Sequence, residues 1–160
     1  KRFDQDYELA VVFSTQEEVG LKGAKTSAFK IDPDVALAVD VSIAGDLPGV
    51  ESHESSLEMG EGVEITMVQS EGRGLVTPRS VKEWLRETAE EKDHDYQPAV
   101  WEGGATDAAK IYLAKEGIPT GSIGVPLRNM HSATEVLKIS DLEDTVDYLE
   151  DVSKTMEDYF

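Results

Sequence analysis

Residues 14–20 have the sequence Ser-Thr-Gln-Glu-Glu-Val-Gly, and they stand between two segments of different character. The apolar run at residues 9–13 predicts a buried strand, and residues 21–29 predict a helix. In open α/β sheets, ligands bind beyond the carboxyl ends of the strands. Because neighbouring side chains of a strand point to opposite faces, Glu17 and Glu18 share one site only if the chain leaves the strand here. The glycine that ends the stretch favours such a bend.

The rest of the chain alternates between predicted strands and helices. The further predicted strands span residues 35–41, 63–68, 96–101 and 122–125. The second of these alternates and should be half-buried, and the last should end at Pro126. This rhythm predicts a three-layer α/β/α sandwich around a mostly parallel sheet.

Two of the predicted helices carry start signals. Thr77 as N-cap and Pro78 at the first position begin one helix, whose apolar face makes Trp84 a core residue. Residues 140–143, Ser-Asp-Leu-Glu, form a capping box before the last helix. The apolar face predicted for that last helix consists of Leu142, Val146, Leu149, Val152 and Met156. Another helix is predicted over residues 106–114.

The chain is strongly acidic. It has 33 Asp and Glu against 15 Lys and Arg among 160 residues, for a formal net charge of -18. This balance disfavours nucleic acid and anionic membrane as partners, because both require basic surfaces. One explanation is a highly solvated surface. The other is a protein from a salt-loving host, which would lose its folded structure at low ionic strength because self-repulsion is then unscreened.

The chain has no cysteine, which excludes disulfides and thiolate metal sites and allows a cytoplasmic location, the one we predict. No apolar run approaches the ~20 residues of a membrane span, and no signal peptide opens the sequence. Because the chain starts without Met and enters a predicted strand almost at once, we expect residues 1–160 to be part of a longer protein.

Four acids and imidazoles lie at predicted strand ends or in the following loops: Glu17, Glu18, Asp40 and His131. Taken singly, each is explained as a cap or a surface residue. Taken together, they are the carboxylate and imidazole ligands that hydrolytic zinc or cobalt sites use. A second glutamate beside a ligand glutamate could take a proton from the attacking water and pass it to the leaving amine. The residues therefore favour metal-assisted hydrolysis.

Other catalytic signals are weak or missing. His53 and His94 lie in acid-rich stretches and are predicted to be solvated. The sequence contains no Gly-x-Ser-x-Gly and no Gly-x-Gly-x-x-Gly, the motifs of serine hydrolases and dinucleotide-binding proteins.

The motifs together resemble the M42 family of metallo-aminopeptidases, which includes the tetrahedral TET peptidases. The resemblance lies in Ser-Thr-Gln-Glu-Glu-Val-Gly-Leu-Lys-Gly-Ala at residues 14–24, Ala-Val-Asp at 38–40, and Gly-Asp-Leu-Pro-Gly at 45–49. It continues in Gly-Gly-Ala-Thr-Asp-Ala at 103–108 and Pro-Leu-Arg-Asn-Met-His-Ser at 126–132. It covers nearly all of the chain, in the family's order.

The resemblance implies a role for each candidate residue. Glu17 would be the general acid/base, Glu18 and His131 would ligate one metal ion, and Asp40 would ligate the other. The loop at Gly103-Gly104 would line the substrate cleft. The family releases single N-terminal residues from short peptides, uses two divalent ions, usually zinc or cobalt, and commonly forms a dodecamer built from dimers.

The chain also departs from the family. Members are about twice as long, and their first half supplies a His-x-Asp motif, a bridging Asp and an inserted small β domain used in dimerisation. None of these is identifiable here. The resemblance therefore implies that residues 1–160 are the C-terminal portion of the catalytic domain, which would be inactive alone. Two alternatives stay open: a related di-metal hydrolase acting on acyl-amino acids or glycans, and a catalytically silent assembly subunit.

Overall fold

The computed structural model describes residues 7–51, 53–69 and 74–160. In chain order, the elements are α1 (Lys22–Ile31), β1 (Ala36–Ile43), β2 (Val63–Gln69), α2 (Arg79–Lys92), β3 (Tyr96–Trp101), α3 (Ala108–Ile111), β4 (Thr120–Arg128), β5 (Val136–Leu137) and α4 (Ile139–Thr155). A short 3-10 helix, Met156–Asp158, follows α4.

The strands form one mixed sheet in the order β1-β4-β2-β3, with β5 added to the end of β4. β1 pairs with β4 in parallel, and so does β2 with β3, whereas β2 and β5 run antiparallel to β4. Helices α2 and α4 cover one face, and α1 and α3 lie on the other. The predicted helix-flanked, mostly parallel sheet is therefore confirmed, as a partial domain.

The main core lies between the sheet and helices α2 and α4. Its fully buried members are Val63, Ile65, Val81, Trp84, Leu85, Ala89, Ile123, Tyr148 and Val152. Alternation along the strands sends Ile65 of β2 and Ile123 of β4, which are paired in register, to this face. The prediction that Trp84 is a core residue is confirmed. We call this side of the sheet the apolar face.

The opposite side, which we call the polar face, has only small apolar clusters under α1 and α3. Beyond them, towards the carboxyl end of β1, the strands present buried or half-buried polar residues: Asp40, Ser42, Glu64, Thr66 and Ser122. The strand predicted over residues 63–68 is present as β2, but residues 63–66 are buried on both faces, so the predicted half-burial was wrong. This polar region lies directly beneath the loops that carry the candidate residues.

The predicted first strand at residues 9–13 was wrong. The segment is not a strand, and no strand in the part of the chain that the structure describes pairs with it. Its apolar side chains are exposed, and Phe13 reaches 92%. Apolar composition alone does not make a strand, because its backbone groups need a neighbouring ladder.

The predicted buried face of the last helix was also wrong in part. Val146 is 57% exposed, and Leu142 is exposed as well, whereas Val152 is buried as expected. The residues that α4 buries are Asp141, Thr145, Tyr148 and Val152. The helix is rotated because its polar residues have partners inside. The Tyr148 hydroxyl donates to the carbonyl of Leu85 at 2.7 Å, and Asp141 accepts from the N–H of Gly60 at 2.7 Å.

The ends of several helices differ from those predicted. α4 begins at Ile139 and has no side-chain cap, so the capping box at residues 140–143 is absent. Thr77 does not cap α2, because its hydroxyl donates to the carbonyl of Thr66 at 2.7 Å. The helix predicted over residues 106–114 shortens to the single turn of α3.

β4 continues through Pro126, where the sequence predicted its end. The registered pairs of β4 with β2 end at Gly124, and those with β5 begin at Leu127. Pro126 therefore has a registered partner only in β1, which a residue without an N–H tolerates.

Two further expectations concern histidine and membranes. His94 is not solvated as predicted. Its Nε2 lies 3.0 Å from a carboxylate oxygen of Asp151, and its ring packs edge-on against Tyr148. His53 is exposed, as predicted. Among the described helices, none has the length and apolar character needed to cross a membrane.

Candidate active site

The four predicted site residues come from three elements at one edge of the sheet. Glu17 and Glu18 lie in the turn before α1, Asp40 lies on β1, and His131 lies in the loop after β4. β1 and β4 are adjacent and parallel, so residues that follow their carboxyl ends are delivered to the same edge.

The bend expected at residues 14–20 is present. The carbonyl of Glu17 accepts hydrogen bonds from the N–H groups of Gly20, at 3.0 Å, and Leu21, at 2.8 Å, which closes the turn. Gly20 has a φ of 115°, a left-handed conformation that glycine adopts without strain. The turn places Glu17 and Glu18 side by side at the start of α1 rather than on opposite faces of a strand.

Gly23 allows the turn to pack closely on the first residues of α1. A Cβ at this position would lie 2.4 Å from the backbone nitrogen of Thr15. The N–H of Gly23 instead donates to the carbonyl of Thr15 at 2.9 Å. The glycine therefore lets the backbone at Thr15, two residues before Glu17, lie against the start of α1.

Glu18 and His131 face each other. Glu18 Oε1 lies 3.4 Å from His131 Nε2, and the two side chains are 73% and 70% exposed. The histidine loop is held separately, since the N–H of His131 donates to Glu135 Oε1 at 2.6 Å and Asn129 Nδ2 donates to the carbonyl of Thr134 at 3.2 Å. The structure thus brings together residues that lie far apart in the sequence.

Negative charge accumulates around Glu17. The pKa of Glu17 is raised to about 7, first by partial burial and then by the neighbouring carboxylates Asp40, Glu18 and Asp107, while His131 lowers it. A carboxyl with such a pKa suits a group that accepts and returns a proton near neutral pH.

Asp40 shares this field. Burial raises its pKa, and Asp107 and Glu18 add to the effect, whereas a hydrogen bond from the N–H of Val41 at 2.8 Å lowers it. The candidate residues Glu17, Glu18, Asp40 and His131, which come from separate parts of the sequence, therefore lie close enough to influence one another's charge.

Asp107 is a functional candidate that the sequence reasoning missed. It stands at the start of α3, and Ser14 Oγ donates to its Oδ2. Its other oxygen, Oδ1, is buried and has no hydrogen-bond partner in the described part of the chain. The signal was available in the motif at residues 103–108, where only the two glycines were singled out.

Gly103 and Gly104 lie in the exposed loop between β3 and α3, four and three residues before Asp107. The end of this loop is anchored from below by Gln69. Its side chain accepts from the N–H of Thr106 at 3.1 Å and donates to the Thr106 hydroxyl at 3.0 Å. The loop is therefore held over the polar face, and it borders the carboxylate group through Asp107.

The donor chemistry of the site fits a divalent cation. Carboxylate oxygens and one imidazole are suitable ligands, and excess negative charge with a buried unpaired carboxylate oxygen favours a cation nearby. The geometry is incomplete, however. Within residues 7–51, 53–69 and 74–160, no three His, Asp or Glu side chains come close enough together to hold a metal ion.

Comparison with known proteins gives a consistent result. The profile of the M42 glutamyl aminopeptidase family matches residues 1–148. A putative aminopeptidase of Acetivibrio thermocellus is 41% identical over 144 residues, which cover 90% of this chain and 42% of that protein. The chain thus spans less than half the length of this relative.

Solved structures of aminopeptidases are also similar to this chain. An aminopeptidase from the archaeon Desulfurococcus kamchatkensis matches with a TM-score of 0.82 and 45% identity, over 86% of this chain and 38% of that one. The Pyrococcus horikoshii TET1 peptidase, which can assemble into a tetrahedron or a large octahedral shell, matches with a TM-score of 0.70 and 28% identity, over 88% and 39%.

Proposed function

The chain belongs to the M42 family of glutamyl aminopeptidases, and from this premise we propose that it carries the general base and part of the metal-binding set of an aminopeptidase. The observation that carries the proposal is the turn that holds Glu17 and Glu18 opposite His131. Because the chain covers 42% of the length of one relative, the activity is proposed for the protein that carries this chain.

In this proposal, Glu18 and His131 would hold one divalent ion and Asp40 would hold a second, both zinc or cobalt. The ions would supply Lewis acidity at the scissile peptide bond. Glu18 faces His131, which leaves Glu17 as the carboxylate of the turn that is not engaged with the imidazole. Glu17 takes a proton from the attacking water and returns it to the departing amine.

The proposed substrates are short peptides with a free N-terminus, from which single residues are released. The open loop at Gly103-Gly104 would border the cleft that receives them. We also propose a homo-oligomer, a dodecamer built from dimers, since a structural relative assembles into closed shells. Light scattering after size-exclusion chromatography tests the assembly, and a monomer at micromolar concentration would contradict it.

The test of the catalytic assignment is Glu17→Gln in the protein that carries this chain. The variant should lose release of p-nitroaniline from aminoacyl-p-nitroanilides in the presence of Zn²⁺ or Co²⁺, while its metal content stays unchanged. Glu116→Gln is the matched control, because Glu116 is exposed and lies at the opposite end of the sheet. Full activity of Glu17→Gln would refute the proposed role.

One observation favours a second candidate, the catalytically silent assembly subunit. The described residues do not gather three metal ligands. If the unsubstituted protein forms a closed oligomer but releases no p-nitroaniline with either metal, the silent subunit is the better description. Activity on acyl-amino acids or glycans alone would favour the related hydrolase.

A further inference from the structure

Three strands place Asp40, Gly124 and Glu64 in one row on the polar face. Asp40 of β1 is in register with Gly124 of β4, and Gly124 is in register with Glu64 of β2. Residues paired in this way point to the same face of a sheet. The carboxyl of Glu64 therefore lies on the same face as Asp40, with one strand, β4, between them, and Glu64 is only 1% exposed.

The Glu64 carboxyl has specific neighbours. Thr66 Oγ1 donates to Glu64 Oε1 at 2.6 Å. The side chains of Ser42 and Trp101 also lie close enough to the carboxyl to lower its pKa. Gly124 provides the room, because a Cβ there would lie 2.1 Å from Glu64 Oε2 and 2.3 Å from Ser42 Oγ. Glu64 and Ser42 thus approach each other across the space that Gly124 leaves open.

This arrangement is costly for the fold. The Ser42 hydroxyl is buried and has no hydrogen-bond partner of good geometry within the described residues. A buried carboxyl and an unpaired hydroxyl both lose hydration. An apolar pair at these positions would suit a helix-covered sheet better, as Ile65 and Ile123 show on the other face.

The neighbours of Glu64 belong to elements that carry the proposed site. Ser42 follows Asp40 by two residues on the same face of β1. Trp101 is the last residue of β3, and its ring lies 3.8 Å from where a Cβ of Gly104 would be. The carboxyl of Glu64 therefore lies close to Ser42, on the strand that presents Asp40, and close to Trp101, at the base of the Gly103-Gly104 loop.

We propose that Glu64 is a positioning residue of the candidate site: its buried carboxyl fixes the carboxyl ends of β1 and β3 relative to each other through Ser42 and Trp101. It thereby sets the placement of Asp40 and of the Gly103-Gly104 loop. The inference rests on the proposed function for its catalytic consequence, but the link from Glu64 to Trp101 can be measured without any activity.

The test compares Glu64→Leu, which removes the hydrogen bonds, with Glu64→Gln, which keeps their geometry. Glu61→Gln is the control, since Glu61 is exposed in the turn before β2. In the protein that carries this chain, Glu64→Leu should lower kcat and Zn²⁺ affinity by about tenfold each, with KM changed by less than about twofold. Glu64→Gln should restore most of both, and Glu61→Gln should match the unsubstituted protein.

The readout that is independent of catalysis is the indole N–H resonance of Trp101. The chain has two tryptophans, so Trp101→Phe assigns the signal. Glu64→Leu should shift the Trp101 resonance and leave that of Trp84 in place. If the unsubstituted protein is inactive, the proposed function fails, and the indole shift together with Zn²⁺ affinity still decides the role of Glu64.

Three results would overturn the proposal. One is a Glu64→Leu variant with unchanged Zn²⁺ affinity and indole resonance. A second is an equal loss in the Gln and Leu variants, because charge rather than hydrogen bonding would then be responsible. If Glu64→Leu does not fold, Thr66→Val removes the donor to Glu64 instead. An unchanged kcat, Zn²⁺ affinity and indole resonance in Thr66→Val would be the third.

Discussion

The two faces of the sheet are built by the same strands for opposite purposes. On the apolar face, Ile65 and Ile123 are paired in register and fully buried against α2 and α4. One residue away on the same strands, Glu64 and Gly124 are also paired, but on the polar face. Full burial of a side chain such as Ile65 contributes about 2 to 3 kcal/mol, whereas burial of the Glu64 carboxyl costs free energy. Stability comes mainly from one face, and the other carries the groups suited to chemistry.

The largest expected effect is on the apolar face. Leu85→Ala should lower the free energy of unfolding by about 3 to 4 kcal/mol, because Leu85 is fully buried between α2 and the sheet. Urea denaturation measures it. Leu113→Ala is the matched control, since Leu113 is 60% exposed. Similar losses in both variants would remove the energetic distinction between core and surface on which the comparison depends.

The second effect concerns the free-energy cost of burying the Glu64 carboxyl on the polar face. The pKa of Glu64 is raised from 4.5 to about 7, chiefly by burial; the hydrogen bond from Thr66 and the nearby Ser42 hydroxyl oppose the rise, and Asp40 adds to it. The folded state therefore holds a proton that the unfolded state releases. The contribution of this bound proton to the free energy of unfolding is fully present below pH 4.5. It is lost as the pH rises through about 7.

The stability difference between the unsubstituted protein and Glu64→Gln should therefore change by about 3 kcal/mol across that range, to the disadvantage of the glutamate at high pH. Urea titrations of both proteins with a chelator present measure this change. A difference that does not vary with pH would mean that burial of Glu64 carries no charge-dependent cost.

A smaller effect is expected at the edge where the loops after β1 and β4 meet. Arg128 donates to both carboxylate oxygens of Asp46, at 2.9 and 2.6 Å, and these hydrogen bonds lower the pKa of Asp46. Arg128→Met should reduce the free energy of unfolding at neutral pH, by less than either of the two effects above. Because Asp46 must be ionised, the loss should shrink as the pH falls through its lowered pKa. The more exposed pair of Arg79 and Glu83 serves as control, and an equal loss in Arg79→Met would contradict the argument.

The smallest stability effect is expected at the site itself. His131→Ala should change the free energy of unfolding by no more than about 0.5 kcal/mol, because the side chain is largely exposed. Its Zn²⁺ content should nevertheless fall, as measured by atomic absorption after gel filtration. Retention of full metal content would show that His131 is only a loop residue. This contrast would sharpen the comparison, since the residue proposed for function contributes little to folding.

Sequence patterns predicted the apolar face better than the polar one. The helical spacing of apolar residues around Trp84 was sufficient to identify it as a core residue, because burial of large apolar side chains is the main stabilising contribution on that face. The alternation in β2 predicted a strand with one solvated side, but Glu64 and Thr66 on that side are buried as well. The local sequence does not indicate this burial, because groups around Glu64 such as Ser42 and Trp101 come from other strands.

The wrong predictions have the same cause. Residues 9–13 have the composition of a strand, yet strand formation requires a partner. The face of α4 is set by Tyr148 and Asp141, whose hydrogen-bond partners lie in other elements. The bend at Glu17 and Glu18 was predicted correctly because Gly20 encodes it locally. Asp107 was overlooked because its significance lies in its nearness to the other carboxylates.

The antiparallel junction of β2 and β4 divides the sheet into two parallel pairs of strands. Among the residues that the structure describes, two registered pairs span this junction, Glu64 with Gly124 and Ile65 with Ile123. Under a pulling force this junction would be a weak point of the sheet, because few paired residues resist the separation of β2 from β4. A motion that opens it would carry Asp40 away with the β1–β4 pair and leave Trp101 with β2–β3. The proposed placement of Asp40 relative to Trp101 would then be lost, while each parallel pair of strands keeps its own hydrogen bonds.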